Sequence, residues 1–109
     1  MIKQGKKPIE EDQLKQFRFD AEDQIKYIEF ILDNDPITAN FLLNNKASTL
    51  TELFFDIRQL WTPAPKQRLA KIKELSPELY SLLEEFYDEN VFREKLQTAK
   101  QIVPIIFKI

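Results

Sequence analysis

Two pairs of carboxylates are spaced to act together: Glu29 with Asp33, and Glu84 with Asp88. Residues four apart on a helix are neighbours, so each pair could in principle share a proton or a cation. The rest of the usual catalytic set is missing, because none of the 109 residues is a cysteine or a histidine. Thiolate nucleophiles, zinc–thiolate sites and disulfides are thereby removed. So are the usual proton carrier near neutral pH and the commonest metal ligand. A carboxylate-bridged metal centre in a helical bundle also takes a Glu-x-x-His repeat, which this chain cannot supply. The pairs therefore read as solvated helix faces. Ser48, Ser76 and Ser81 have no partner base; the first two suit caps or joints and the third a helix surface. No enzymatic activity, cofactor or metal is expected.

A second kind of chemistry is recognition by charge. The net charge is −2, but it is segmented. Lys3, Lys6 and Lys7 make residues 1–8 a flexible basic tail, and residues 9–35 then carry nine acidic side chains against three basic ones. Lys66, Arg68, Lys71 and Lys73 fall within eight residues, and residues 74–94 hold seven acids against Arg93. Alternating sign of this kind suits solvated faces that help neighbouring helices pack. The basic cluster could alternatively face an acidic partner, which makes a nucleic-acid-associated regulator the second reading. PITANFLLNNKASTLTELFFDIRQLW can be drawn as a helix-turn-helix, yet its second helix would lead with Glu52 and Asp56, which DNA phosphates repel. The 66–73 segment also lacks interleaved aromatic side chains for stacking on single strands.

The third is apolar. The chain ends in QIVPIIFKI, with Ile105, Ile106, Phe107 and Ile109 all strongly apolar. A terminus of this kind needs cover from its own core, a second copy, a foreign partner or a lipid. Drawn as an extended tail over 104–109, it presents Ile105, Phe107 and Ile109 on one side. Burying its four large side chains would yield about 6–12 kcal/mol. Ordering six residues costs about the same. Self-docking is therefore marginal, and a partner that offers a groove would favour binding. Only one lysine flanks the tail and no stretch reaches about 20 apolar residues, so a membrane is not expected. Phe55 and Trp61 are further candidates for a partner surface. Phe54 and Phe55 cannot both lie on one helical stripe, and Trp61 stands just before the TPAP corner.

The elements that position these groups are helical. Gly5 is the only glycine, so turns and strand bulges that need glycine are absent after it, and prolines punctuate the chain instead. Apolar positions at Leu14, Phe17, Ala21, Ile25, Ile28 and Leu32 predict one long helix, or two if Asp20 caps the second and Phe19 marks a corner. Asp35 and Pro36 predict a short helix over about 36–44, ending at Asn44 and Asn45. Thr49 and Glu52 have capping-box spacing before an amphipathic helix through Leu60 and Trp61. After TPAP, residues from Lys66 to Leu75 form a short helix, and Ser76 with Pro77 opens the next. The last helix runs from about Val91 and is expected to stop near Ile102, because an interior Pro104 would cost about 3 kcal/mol.

Together these features predict an all-α protein. Its domain, residues 9–103, is an irregular bundle of five or six short helices with an apolar extended C-terminal tail. LFFDIRQLWTPAPKQRL resembles the helix-corner-helix of helical accessory domains in nucleotidyltransferases. It covers under a fifth of the chain, and the paired acidic motif of those enzymes is missing, so the resemblance implies no activity or site here. The expected function is that of a cytoplasmic protein-interaction or assembly module, such as a small accessory subunit. Its partner would be another protein or a second copy of the chain.

Overall fold

The computed structural model describes residues 7–108. Lys3, Lys6 and Ile109, part of the basic tail and the last apolar residue, lie outside the described residues. Five helices follow one another: α1 (Glu11–Ile31), α2 (Pro36–Ile57), α3 (Pro65–Leu75), α4 (Pro77–Asp88) and α5 (Phe92–Ile106). There is no strand among the described residues. The protein is all-α, as its proline punctuation and apolar periodicity require.

The prolines open helices where the sequence places them. Pro36, Pro65 and Pro77 each take the first helical position, where the missing N–H leaves no bond unmade. The Asp35 carboxylate accepts from the Thr38 N–H at 3.1 Å, and the Ser76 hydroxyl accepts from the Leu79 N–H at 3.2 Å. The bonds from Thr38 hold the Asp35 carboxyl below its ordinary value. A carboxyl whose folded pKa is depressed stabilises the fold above its unfolded pKa and loses that contribution as pH falls through the folded value. Asp35→Asn, which keeps a capping oxygen but cannot titrate, is therefore expected to flatten part of the acid limb of a stability–pH curve below about pH 4. Thermal melts of both proteins across that range check it.

Of the two alternatives for the first segment the single helix is formed, and one later boundary differs from the sequence expectation. The α1 segment is a single helix. Asp20 caps nothing, its carboxylate instead accepting from the Gln16 amide, and Phe19 sits in mid-helix, not at a corner. The two helices expected over 36–61 are also one, ending at Ile57. Thr49, expected as a cap, donates its hydroxyl to the Asn45 carbonyl within continuous helix. Burial overrides the weak helix propensity of the paired asparagines. Ala39, Leu43, Ala47, Leu50 and Phe54 form one buried stripe straight through them. The helix-turn-helix drawing fails for the same reason, since its turn is helix.

α2 ends in a Schellman turn: Leu60 N–H donates to Phe55 O at 2.9 Å and Gln59 N–H to Asp56 O at 3.0 Å. Gln59 carries the required positive φ of 60°. The left-handed conformation costs a residue with a Cβ about 1 kcal/mol or more. We expect Gln59→Gly to raise the melting temperature by a few degrees and the β-branched Gln59→Val to lower it, in a thermal melt of the three proteins.

α5 is the centre of the bundle. It packs against α1, α2 and α4, while α1 pairs with α2 and α3 packs on α4. Its inward face, Leu96, Ala99, Ile102, Val103 and Ile106, meets Ala21, Ile25 and Ile28 of α1, the α2 stripe, and Leu79, Leu83 and Phe86 of α4 in one core. The molecule measures 52 × 30 × 21 Å. The short dimension is about two helix diameters, so a helix in either layer has one side without a helical neighbour.

Candidate functional site

The C-terminal segment does not form the extended tail that the sequence suggested. Residues 104–106 continue α5 through Pro104, and Ile106 is completely buried. Ile105 and Phe107 are half-buried against the same core. Pro104 removes one helical hydrogen bond near the end of the helix. Two features offset that loss: burial of Val103 and Ile106, and the Arg58 guanidinium. Arg58 Nη1 donates to Ile106 O at 3.1 Å, and Nη2 donates to Lys108 O at 2.7 Å and Ile105 O at 3.5 Å. Nη1 also donates to Phe54 O at 3.2 Å, and the guanidinium lies 3.9 Å from the Phe54 ring centroid. One cation thus serves the carbonyl ends of α2 and α5, where the helix dipoles favour positive charge. Burial draws the Arg58 pKa below its ordinary value. Nothing in the sequence singled out Arg58. Its role depends on the ends of two helices, 48 residues apart in sequence, meeting.

Phe55, expected as part of an outward patch, is also buried, at 1 % exposure. Phe54 and Phe55 pack edge to face at 5.3 Å between ring centroids. α2 is covered on two sides at this end. Besides the core stripe, it buries Thr51 and Phe55, one turn apart on a second line, and the Arg68 side chain of α3 reaches this end. Arg68 marks that contact, donating to Pro63 O and to the Thr51 hydroxyl. Of the apolar partner-surface candidates Ile105, Ile106, Phe107, Phe55 and Trp61 among the described residues, Trp61 is the largely exposed one, at 62 %.

The basic cluster does not converge on one surface. Lys66 and Lys73 share one side of α3, and Arg68 and Lys71 point elsewhere by helical geometry. Arg68 is turned inward, 3.7 Å from the Glu52 carboxylate, with only 14 % of its side chain exposed. Lys71 pairs with Glu74 at 3.6 Å, and the Lys73 ammonium lies 5.2 Å from the Tyr80 ring centroid. The carboxylate pairs are likewise dispersed. Glu29 pairs with Lys100 at 3.0 Å and Asp33 with Arg93 at 2.8 Å, holding α1 and the turn after it to α5. Glu84 and Asp88 line a shallow depression with Tyr80 and Tyr87. Among the described residues, no group of three or more acidic side chains could hold a metal ion.

The surface that carries unexplained apolar side chains is the α1–α2 hairpin. Phe30 is 77 % exposed, Ile37 83 % and Phe41 68 %, and Phe19 and Tyr27 are also exposed. On α1, Phe19 and Phe30 lie opposite the buried Ala21–Ile25–Ile28 stripe and Tyr27 to its side; Ile37 and Phe41 stand one turn apart on α2. Between the helices runs a cleft of about 440 Å³ lined by Tyr27, Ile28, Leu42, Asn45, Lys46 and Thr49, with Gln24 at its side. It continues toward Phe17, Asp20, Leu53 and Asp56. Burial lowers the Lys46 pKa in this cleft, and the nearby charge of Asp20 acts in the opposite sense. The sequence suggests a corner, or a core place with an interface second, for Phe19, and leaves Tyr27, Phe30, Ile37 and Phe41 unassigned. The signal was present as apolar residues that fall off the main stripe of each helix.

The chain matches no protein-family model, and neither curated proteins nor solved structures provide a match. No helix among the described residues is long and apolar enough to cross a membrane.

Proposed function

We propose that this protein is a non-enzymatic, cytoplasmic interaction module that engages another protein through the outer face of its α1–α2 hairpin. The observation that carries this reading is the group of four large apolar side chains, Tyr27, Phe30, Ile37 and Phe41, held on rigid helices with more than half of each side chain's residue surface open to water. Exposing one such residue is ordinary, but grouping aromatic residues at one end of a hairpin is the composition of an interface core. The C-terminal segment, in contrast, is occupied inside the molecule, with Ile106 buried and Arg58 fastened over its end. Binding through that segment would first require α5 to open.

The test is co-purification of tagged full chain from its source cells, comparing the natural protein with the double variant Phe30→Ser, Phe41→Ser. Both positions are exposed, so melting temperatures should agree within a few degrees. The reading predicts a stoichiometric companion with the natural protein that disappears with the double variant. Equal recovery of companions by the two proteins, or none with either, would contradict it.

A further inference from the structure

The cleft between α1 and α2 is not uniform along its length. At the hairpin tip no carboxylate lines it: Tyr27, Ile28 and Leu42 share its lining with Gln24, Asn45, Lys46 and Thr49, and the exposed Phe30, Ile37 and Phe41 stand at the same end of the two helices. Toward the other end, the carboxylates of Asp20, Glu52 and Asp56 join the lining. The two parts are continuous, since Gln24, Lys46 and Thr49 belong to both. From Phe17 to Tyr27 the groove follows α1 for ten residues, about 15 Å. That is nearly three turns of a docked helix.

Charge decides what fits. Residues 9–35 hold nine acids against three bases. Glu22 pairs with Arg18, while Glu29 and Asp33 face cations of α5 on the other side. Glu10, Glu11, Asp12, Asp20, Asp23 and Asp35 then stand against Lys15 and Lys26. Within the groove, Lys46 lies near Asp20 and Arg68 stands 3.7 Å from Glu52, so two cations face the three carboxylates of its lining. A second copy docking by the same face would bring α1 carboxylates against α1 carboxylates, which disfavours a symmetric dimer here.

We infer that the α1–α2 groove receives a helical segment of a foreign protein, apolar at one end and cationic at the other, with its apolar side chains at the hairpin tip and its cations over Asp20 and Glu52. The inference rests on the interaction reading above and specifies the partner's chemistry. Two to three apolar anchors a turn apart would occupy the Tyr27–Leu42 end, the familiar mode of a helix in a groove. Lys46, at mid-groove, repels any partner cation placed too near the tip and so fixes which way the segment lies. Rim charges of this type set association rate and partner choice, so binding should weaken with salt.

The experiment is fluorescence anisotropy of the full chain with two labelled peptides about 14 residues long, long enough for marginal helicity. One is a leucine/lysine amphipathic peptide, and the other has the same leucine pattern with every lysine replaced by glutamate. The leucine/lysine peptide is expected to bind at least about tenfold more tightly. Phe30→Ser with Phe41→Ser should weaken it by about tenfold or more. Asp20→Asn with Glu52→Gln should weaken it several-fold and flatten its salt dependence. Melts of each variant establish that the fold is kept. Equal or preferred binding of the glutamate peptide, failure of both peptides to bind, or binding insensitive to both double variants would overturn the inference. A stoichiometric companion that is lost with Phe30→Ser, Phe41→Ser while the peptides show no cationic preference would remove the inference and leave the interaction reading standing. Loss of both results removes both.

Discussion

A chain ended at Val103 is expected to lose its cooperative melt. The shortened protein lacks Ile106, a completely buried core residue, as well as the half-buried Ile105 and Phe107. Removing a buried isoleucine side chain costs about 2–5 kcal/mol. Here Arg58 also loses the carbonyls of Ile105, Ile106 and Lys108. The combined loss exceeds about 5 kcal/mol, comparable with the whole stability of many domains of this size. Circular dichroism melts with light scattering on both chains check it. The full chain is expected to be a monomer with a sharp transition, and the shortened chain to be partly unfolded or to melt more than about 20 °C lower. A shortened chain that stays monomeric and melts like the full one would show that the segment is not part of the core. A dimeric full chain whose mass halves on truncation would restore it as an assembly device.

Arg58→Ala is the second large effect, at about 2–4 kcal/mol in urea unfolding with little change of slope. The size follows from position. The guanidinium satisfies the end of α2 through Phe54 O and the end of α5 through three further carbonyls, and it covers the Phe54 ring. Alanine leaves these acceptors to water and uncovers an aromatic ring that is otherwise fully buried. Arg58→Lys keeps the charge, but a single ammonium cannot span four carbonyls as a planar fork does, so it should recover less than half of the loss. Full recovery by lysine would mean that charge at the helix ends, not the bridging geometry, carries the effect.

The sequence made the helices legible wherever local chemistry decided them. Asp35–Pro36 and Ser76–Pro77 set two helix starts to the residue, because a capping oxygen and a proline at the first position act within one turn. It misled where a distant contact outweighed a local signal. Asn44 and Asn45 look like a helix end, yet Asn44 accepts from the Lys95 ammonium of α5 at 2.9 Å, and the buried stripe runs on past it. Pro104 looks like a helix stop, yet the core holds Ile106 and Arg58 takes the carbonyls at the end of α5. The same long-range packing moved the apolar surface. The tail and Phe55 are the most apolar features of the sequence, yet Phe55 and Ile106 are buried in the core and Ile105 and Phe107 pack against it. The exposed group on the hairpin is built from single aromatic residues scattered among acids, and only folding places them together.

The most direct test of the hairpin as the binding face is photo-crosslinking in the source cells. A photoreactive phenylalanine replaces Phe41 in one full-length chain and Phe107 in another. The first position is exposed on the hairpin, whereas the second is half-buried against the core. A discrete adduct from position 41 and none from position 107 is the predicted result. Adducts from position 107 with none from position 41 would contradict the account and return the binding surface to the C-terminal segment.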